Sequence, residues 1–140
     1  MASVEMFDHT ADVGLRVSAE SLNALFQIAA EALFDYIVVN RCDVAEDLVE
    51  VVNLDAESPA DLLAKWLNEL IFRSETMHRL YTRFDVTVDN ECLTLSAEIR
   101  GEAMDLDRHI LDHEVKAVTQ HGLALMRTET GWIAELILDI

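Results

Sequence analysis

The chain has 140 residues, 51% of them hydrophobic, which is enough to bury a single-domain core without metal or disulfide staples and too apolar for a disordered polymer. Its 27 acidic against 10 basic residues set the net charge at −17. A protein that grips a phosphate backbone needs the opposite sign, because its affinity comes from counterion release, so direct nucleic-acid binding is not expected.

The densest basic group, Arg73, Arg79 and Arg83, is diluted by Glu75 and Asp85. Cation binding, or docking to a basic protein partner, suits such a charge better. The apolar runs are too short for a membrane span, and residues 1–6 lack the basic start and long apolar stretch of a signal peptide. A cytoplasmic location without membrane association is therefore expected. Cys42 and Cys92 fit no metal spacing and read as reduced thiols.

Taken in chain order, Val4–Phe7 and Gly14–Ser18 are short strand candidates on either side of the turn Asp8-His9-Thr10-Ala11-Asp12. From Ser21 to about Val38 the apolar residues Leu22, Leu25, Phe26, Ala29, Leu33 and Ile37 recur at helical spacing, with Ser21 as N-cap. Val49–Leu54 is a β-branched run. Ser58-Pro59-Ala60-Asp61 then combines a capping serine, proline at the first helical position and an acid in the first turn. Leu62, Leu63, Trp66, Leu70 and Ile71 supply that second helix with its apolar face, and Trp66 is expected in the core.

Beyond it the period falls to two. Phe84, Val86 and Val88 alternate with polar residues, Asp89-Asn90 supplies a turn, and Leu93, Leu95, Ala97 and Ile99 alternate again, which predicts a hairpin. Residues 102–112 are polar and predict a loop. Val115 to Met126 and Trp132 to Ile140 predict a second hairpin turning near Thr130-Gly131. Strands in runs with two main helices between them predict one α+β domain over residues 1–140, with a largely antiparallel sheet.

Neither a phosphate-cradling glycine loop nor a nucleophile elbow occurs. Three polar groups remain. The first is the turn holding Asp8, His9 and Asp12. The second is Asp112-His113-Glu114-Val115-Lys116, with His109 before it and His121 after. His109 and His113 stand four apart, a zinc spacing on a helix, but strand-like neighbours follow and no third ligand is placed, so these histidines read as structural or surface groups. The third is the terminus, where an apolar strand runs to Ile140. Asp139 and a terminal carboxylate, if brought near Asp12, would make an all-oxygen site for calcium or magnesium. A strand that simply ends at the surface accounts for the same residues.

The stretches "DHTADVGLRV", "LNALFQIAAEALFDYIV", "DLLAKWLNELIF", "DHEVKAVTQHGLAL" and "GWIAELILDI" together resemble the archease family, in order and over nearly the whole chain. Gln120 stands where such proteins commonly carry an aromatic. The resemblance implies an accessory protein of the RtcB-type RNA ligase of tRNA splicing, one that promotes guanylylation and repeated turnover of the ligase without itself joining RNA. It implies a metal site, usually associated with calcium, at Asp12, Asp139 and Ile140. Asp8 and His9 would then support the turn, and His113, Glu114 and Lys116 would belong to the working surface. The alternatives are a metal-dependent enzyme that uses Asp12 and Asp139 with Lys116 or His113, and a general protein chaperone.

Overall fold

The computed structural model describes residues 2–9, 12–91 and 93–140, apart from the side chains of Asp8 and His9; Thr10, Ala11 and Cys92 lie outside the described residues. Two antiparallel sheets and two helices share one core. The chain runs β1 (Ser3–His9), β2 (Asp12–Ala19), α1 (Leu22–Ile37), a 3-10 turn (Arg41–Asp43), β3 (Leu48–Asp55), α2 (Pro59–Met77), β4 (Arg79–Asp89), β5 (Thr94–Ala103), β6 (Ala117–Val118), β7 (Ala124–Arg127) and β8 (Trp132–Asp139). This is the expected α+β class.

Both helices start where their caps predict. The Ser21 hydroxyl accepts from the Ala24 amide at 3.1 Å, and the Ser58 hydroxyl accepts from Asp61 at 3.2 Å with Pro59 in the first turn. Each bond satisfies a helix-end amide that has no partner inside the helix. At its other end α2 closes on His78 in the left-handed region (φ 53°).

One sheet has the order β1-β2-β8-β6, with β7 also on β8; the other is β3-β5-β4. In the first, Leu15, Val17, Leu136 and Leu138 are fully buried. The alternate residues of β2 and β8 form the outer face, where Arg16 bonds Glu5 at 2.7 Å and Glu135 at 3.0 Å. Gly14 sits under the Phe7 ring on that face, and a Cβ there would lie 2.1 Å from Phe7 Cε2. Each helix packs on both sheets. Between them Phe34 meets Tyr81 edge-on at 5.7 Å, and Trp66 meets Phe84 edge-on at 6.3 Å. The buried Trp66 indole N–H donates to the Phe26 carbonyl at 3.0 Å, so the expected core tryptophan is also satisfied as a polar group.

The second hairpin departs from the expectation. Residues 115–126 do not make one strand: β6 faces Asp139 and Leu138, β7 faces Glu135 to Trp132, and a turn separates them. Gly122 adopts φ 72° there, a conformation costly to any residue with a Cβ. The first hairpin is longer than its alternation suggests, with Asp89 opposite Thr94, and Leu93 belongs to the turn (φ 52°) rather than the strand.

Candidate functional site

The site is built by register. In the antiparallel pair β2–β8, Asp12 stands opposite Asp139, and on the other side of β8 Ala117 also stands opposite Asp139. Directly opposed residues project from the same face with Cβ atoms about 5 Å apart. Val13 and Leu138 next to them point into the core, so the two aspartates share the outer face, half-buried. The Lys116 amide donates to the Asp139 carbonyl at 2.7 Å, and Ile140 packs against the core cluster. The backbone of Asp139 is thereby fixed, and Ile140 follows it with its side chain against the core.

Among the described residues, neither the Asp12 nor the Asp139 side chain has a hydrogen bond or ion pair; Arg16, four residues along the same face, is engaged with Glu5 and Glu135. Like charges directly opposite one another destabilise a sheet, so this arrangement favours a counter-cation. Carboxylate oxygens suit a hard divalent ion. No group of three or more His, Cys, Asp or Glu residues at metal-holding distance occurs among the described residues. Two aspartates thus do not complete a coordination sphere, and further oxygens would have to come from the Ile140 carboxylate, backbone carbonyls or solvent.

Of the other expected residues, Asp8 and His9 belong to β1 by backbone, with His9 opposite Asp12, while their side chains lie outside the described residues. His113, Glu114 and Lys116 are exposed on an irregular segment. The His113 ring stacks on Tyr36 (centroids 4.1 Å apart, planes at 6°), and its Nδ1 lies 3.3 Å from the Tyr36 carbonyl and 3.2 Å from Asp112. Both neighbours are acceptors, so Nδ1 carries the proton. The structure sets Asp12 opposite Asp139, which Ile140 follows in the chain, joins Lys116 to Asp139 through the backbone, and ties His113 instead to the end of α1.

The spacing of His109 and His113 has no helix under it. His109 is buried: its Nδ1 accepts from the Asp105 amide at 2.9 Å, which leaves Nε2–H to donate to Glu102 at 3.0 Å. Glu102 also accepts from Arg108 and, at 2.6 Å, from the Ala45 amide. The Arg108 bond acts first and outweighs desolvation, and with the Ala45 and His109 bonds it holds the Glu102 carboxyl down at about 2. This cluster anchors the long 104–116 segment, which then runs along residues 37–39 through Val39 N–H to Ile110 O and Asp112 N–H to Ile37 O, both 2.8 Å. Sequence reasoning missed Glu102 and Arg108. Glu102 falls on the polar phase of the β5 alternation, with Ser96, Glu98 and Arg100, so the sequence pattern held no signal for its burial.

The sequence matches the archease protein family over residues 4–140. An archease of Methanopyrus kandleri is 37% identical over 140 residues, covering 97% of this chain and 98% of that protein. An archease of Sulfurisphaera tokodaii is 30% identical over the full length of both. Protein 1598 of Methanobacterium thermoautotrophicum, solved in solution, superposes with a TM-score of 0.85 at 31% identity, covering 98% of each chain. A crystal structure from Thermotoga maritima, titled as an archease and possible chaperone, shares the fold at a TM-score of 0.69 and 19% identity, covering 97% of this chain and 96% of that one. With the fold and a full-length match in agreement, this chain belongs to the archease family.

Proposed function

We propose that the chain is an accessory protein of an RtcB-type RNA ligase, promoting guanylylation and repeated turnover of the ligase in tRNA splicing while catalysing no joining itself. The observation that carries the site is the in-register pair of Asp12 and Asp139, unpaired among the described residues and next to Ile140. These three would hold calcium, or magnesium in its place. Bound there, the cation would neutralise crowded carboxylates and order the chain end as a docking point. The residues' own part is geometric: β2 and β8 present the oxygens, and the Lys116 amide fixes the Asp139 backbone.

The net charge of −17 supports the partner. A ligase that holds RNA has a basic surface, toward which an acidic protein is steered without touching RNA. By binding one state of the ligase better than another, the chain would reset it between turnovers.

The test is guanylylation of the ligase by GTP with a substoichiometric amount of this protein, with and without calcium. Stimulation beyond one turnover per added protein, lost in Asp12→Asn, supports the reading. GTP turnover by this protein alone would instead favour the metal-dependent enzyme. The exposed apolar residues Val39, Ile110 and Leu111 favour one second reading, a chaperone. Suppression of aggregation of unrelated unfolded proteins would support that one.

A further inference from the structure

Away from the paired aspartates, a cleft of about 730 Å³ opens between the C-terminal end of α2 and the 111–115 segment. Its apolar lining comes from Ile37, Ile71, Met104, Leu111 and Val115, and its polar lining includes Glu75, Asp112 and Glu114. The apolar surface continues outside the cleft: Ile110 and Val39, bonded side by side, are each 59% exposed. Contiguous exposed apolar surface with a polar rim is the signature of an interaction site.

The charge on the rim says what kind of partner fits. Among the described residues neither Glu75 nor Glu114 has an ion pair or hydrogen bond, although both are exposed. The nearest arginines on α2 and β4, Arg73 and Arg79, are committed to Glu69 and Glu50. The cleft's own bases are His78 and His113, and His113 is held by Asp112 and the Tyr36 carbonyl. An apolar floor is thus flanked by Glu75 and Glu114, which no cation neutralises among the described residues, and by Asp112, whose one partner is His113. A neutral or acidic occupant would leave them facing it uncompensated, and a cationic one would match them.

We infer that this cleft docks a segment of a partner protein that buries a large apolar side chain against Ile37, Ile71 and Leu111 and sets flanking lysines or arginines against Glu75, Asp112 and Glu114. The inference rests on the reading that the chain works by docking to a protein, and it adds a second contact point. The segment from Leu111 to Lys116 runs from the cleft to the backbone of Asp139, so one partner can engage both. Apolar anchoring supplies affinity here, and the charges supply selection and orientation.

The test is a titration of isotope-labelled protein, followed by amide NMR, with two short synthetic peptides of equal positive charge. One carries Leu-Phe between lysines, and the other has Ser-Ser in place of Leu-Phe. The Leu-Phe peptide is expected to shift the amides of residues 74–78 and 111–115. The Ser-Ser peptide should bind at least about tenfold more weakly, and so should the Leu-Phe peptide to Glu75→Lys/Glu114→Lys. Both substituted positions are exposed, and an otherwise unchanged spectrum shows that the double variant folds. Shifts scattered over the whole acidic surface, equal binding of the two peptides, or indifference to the double variant would each overturn the proposal.

Titrating the ligase with the wild-type protein separates the two readings. A chain that takes the Leu-Phe peptide in the cleft but ignores the ligase keeps the cleft and removes the ligase as its partner. A chain that binds the ligase while the peptide leaves the cleft amides unmoved overturns the cleft and leaves the ligase reading standing.

Discussion

Asp12 and Asp139 stand directly opposite each other across β2 and β8, on the outer face of the five-stranded sheet, with no cation paired to either among the described residues. Two carboxylates directly opposed in one cross-strand pair repel and destabilise the sheet. In chelator, Asp12→Asn should therefore melt at the same temperature as the native protein or slightly above it. In calcium the order should reverse, because only the native protein gains stability from binding. Thermal melts with and without calcium decide the matter, and a calcium-induced rise that survives in Asp12→Asn removes Asp12 from the site. Loss of ligase stimulation in the same variant is the functional counterpart.

Adding a few residues after Ile140 keeps every side chain but turns a carboxylate into an amide carbonyl. Ile140 packs against the core, so the added residues leave from a fixed point. Weaker calcium binding and reduced stimulation are expected from the extension alone, read by calorimetric titration and the guanylylation assay. Unchanged affinity would mean that the Ile140 carboxylate is no ligand.

Lys116 is exposed, and its contact with Asp139 is made by its backbone amide, which any residue but proline supplies. Lys116→Ala should accordingly lower ligase stimulation while shifting stability by no more than about 0.5 kcal/mol. A large drop in melting temperature would reassign Lys116 to a structural role.

Glu102 is expected to make the 104–116 segment sensitive to acid. Its carboxyl falls from the ordinary 4.5 to about 2 in the folded protein, chiefly through the Arg108 bond. A depressed folded value stabilises the protein fully above the unfolded value, and that stability is lost as pH falls from about 4.5 toward 2. Glu102→Gln should flatten this part of the stability curve, and at neutral pH should cost about 1–3 kcal/mol through the weakened bonds to Arg108, His109 and Ala45. Denaturant unfolding of both proteins over this pH range measures the difference; parallel curves would show that other carboxylates carry the acid response.

Association with the ligase should slow as salt rises, because exposed charges are screened within about 10 Å at 0.1 M. Stopped-flow association from about 0.05 to about 0.5 M salt reads the effect. A flat response would take steering out of the account while leaving the carboxylate site untouched.

Local chemistry alone determined the helices and the first long hairpin. Ser21 and Ser58-Pro59 mark helix starts by capping geometry, and the alternation through Phe84 and Ile99 marks strands, because each signal is complete within a few residues. The family resemblance was likewise carried by short motifs in order along the chain. The candidate donors Asp12 and Asp139 came with that resemblance, because side-chain type alone fits a strand that simply ends at the surface equally well. Their pairing is another matter, since they sit near opposite ends of the chain, and register between distant strands follows from which faces the whole core buries. The same holds for the break between β6 and β7, where residues 117–118 and 124–127 pair with β8 around the Gly122 turn. His109 is the clearest case. The sequence left it a structural or surface group, and burial beside Glu102 and Arg108 makes it a fastening for the loop, a property that only the assembled fold confers.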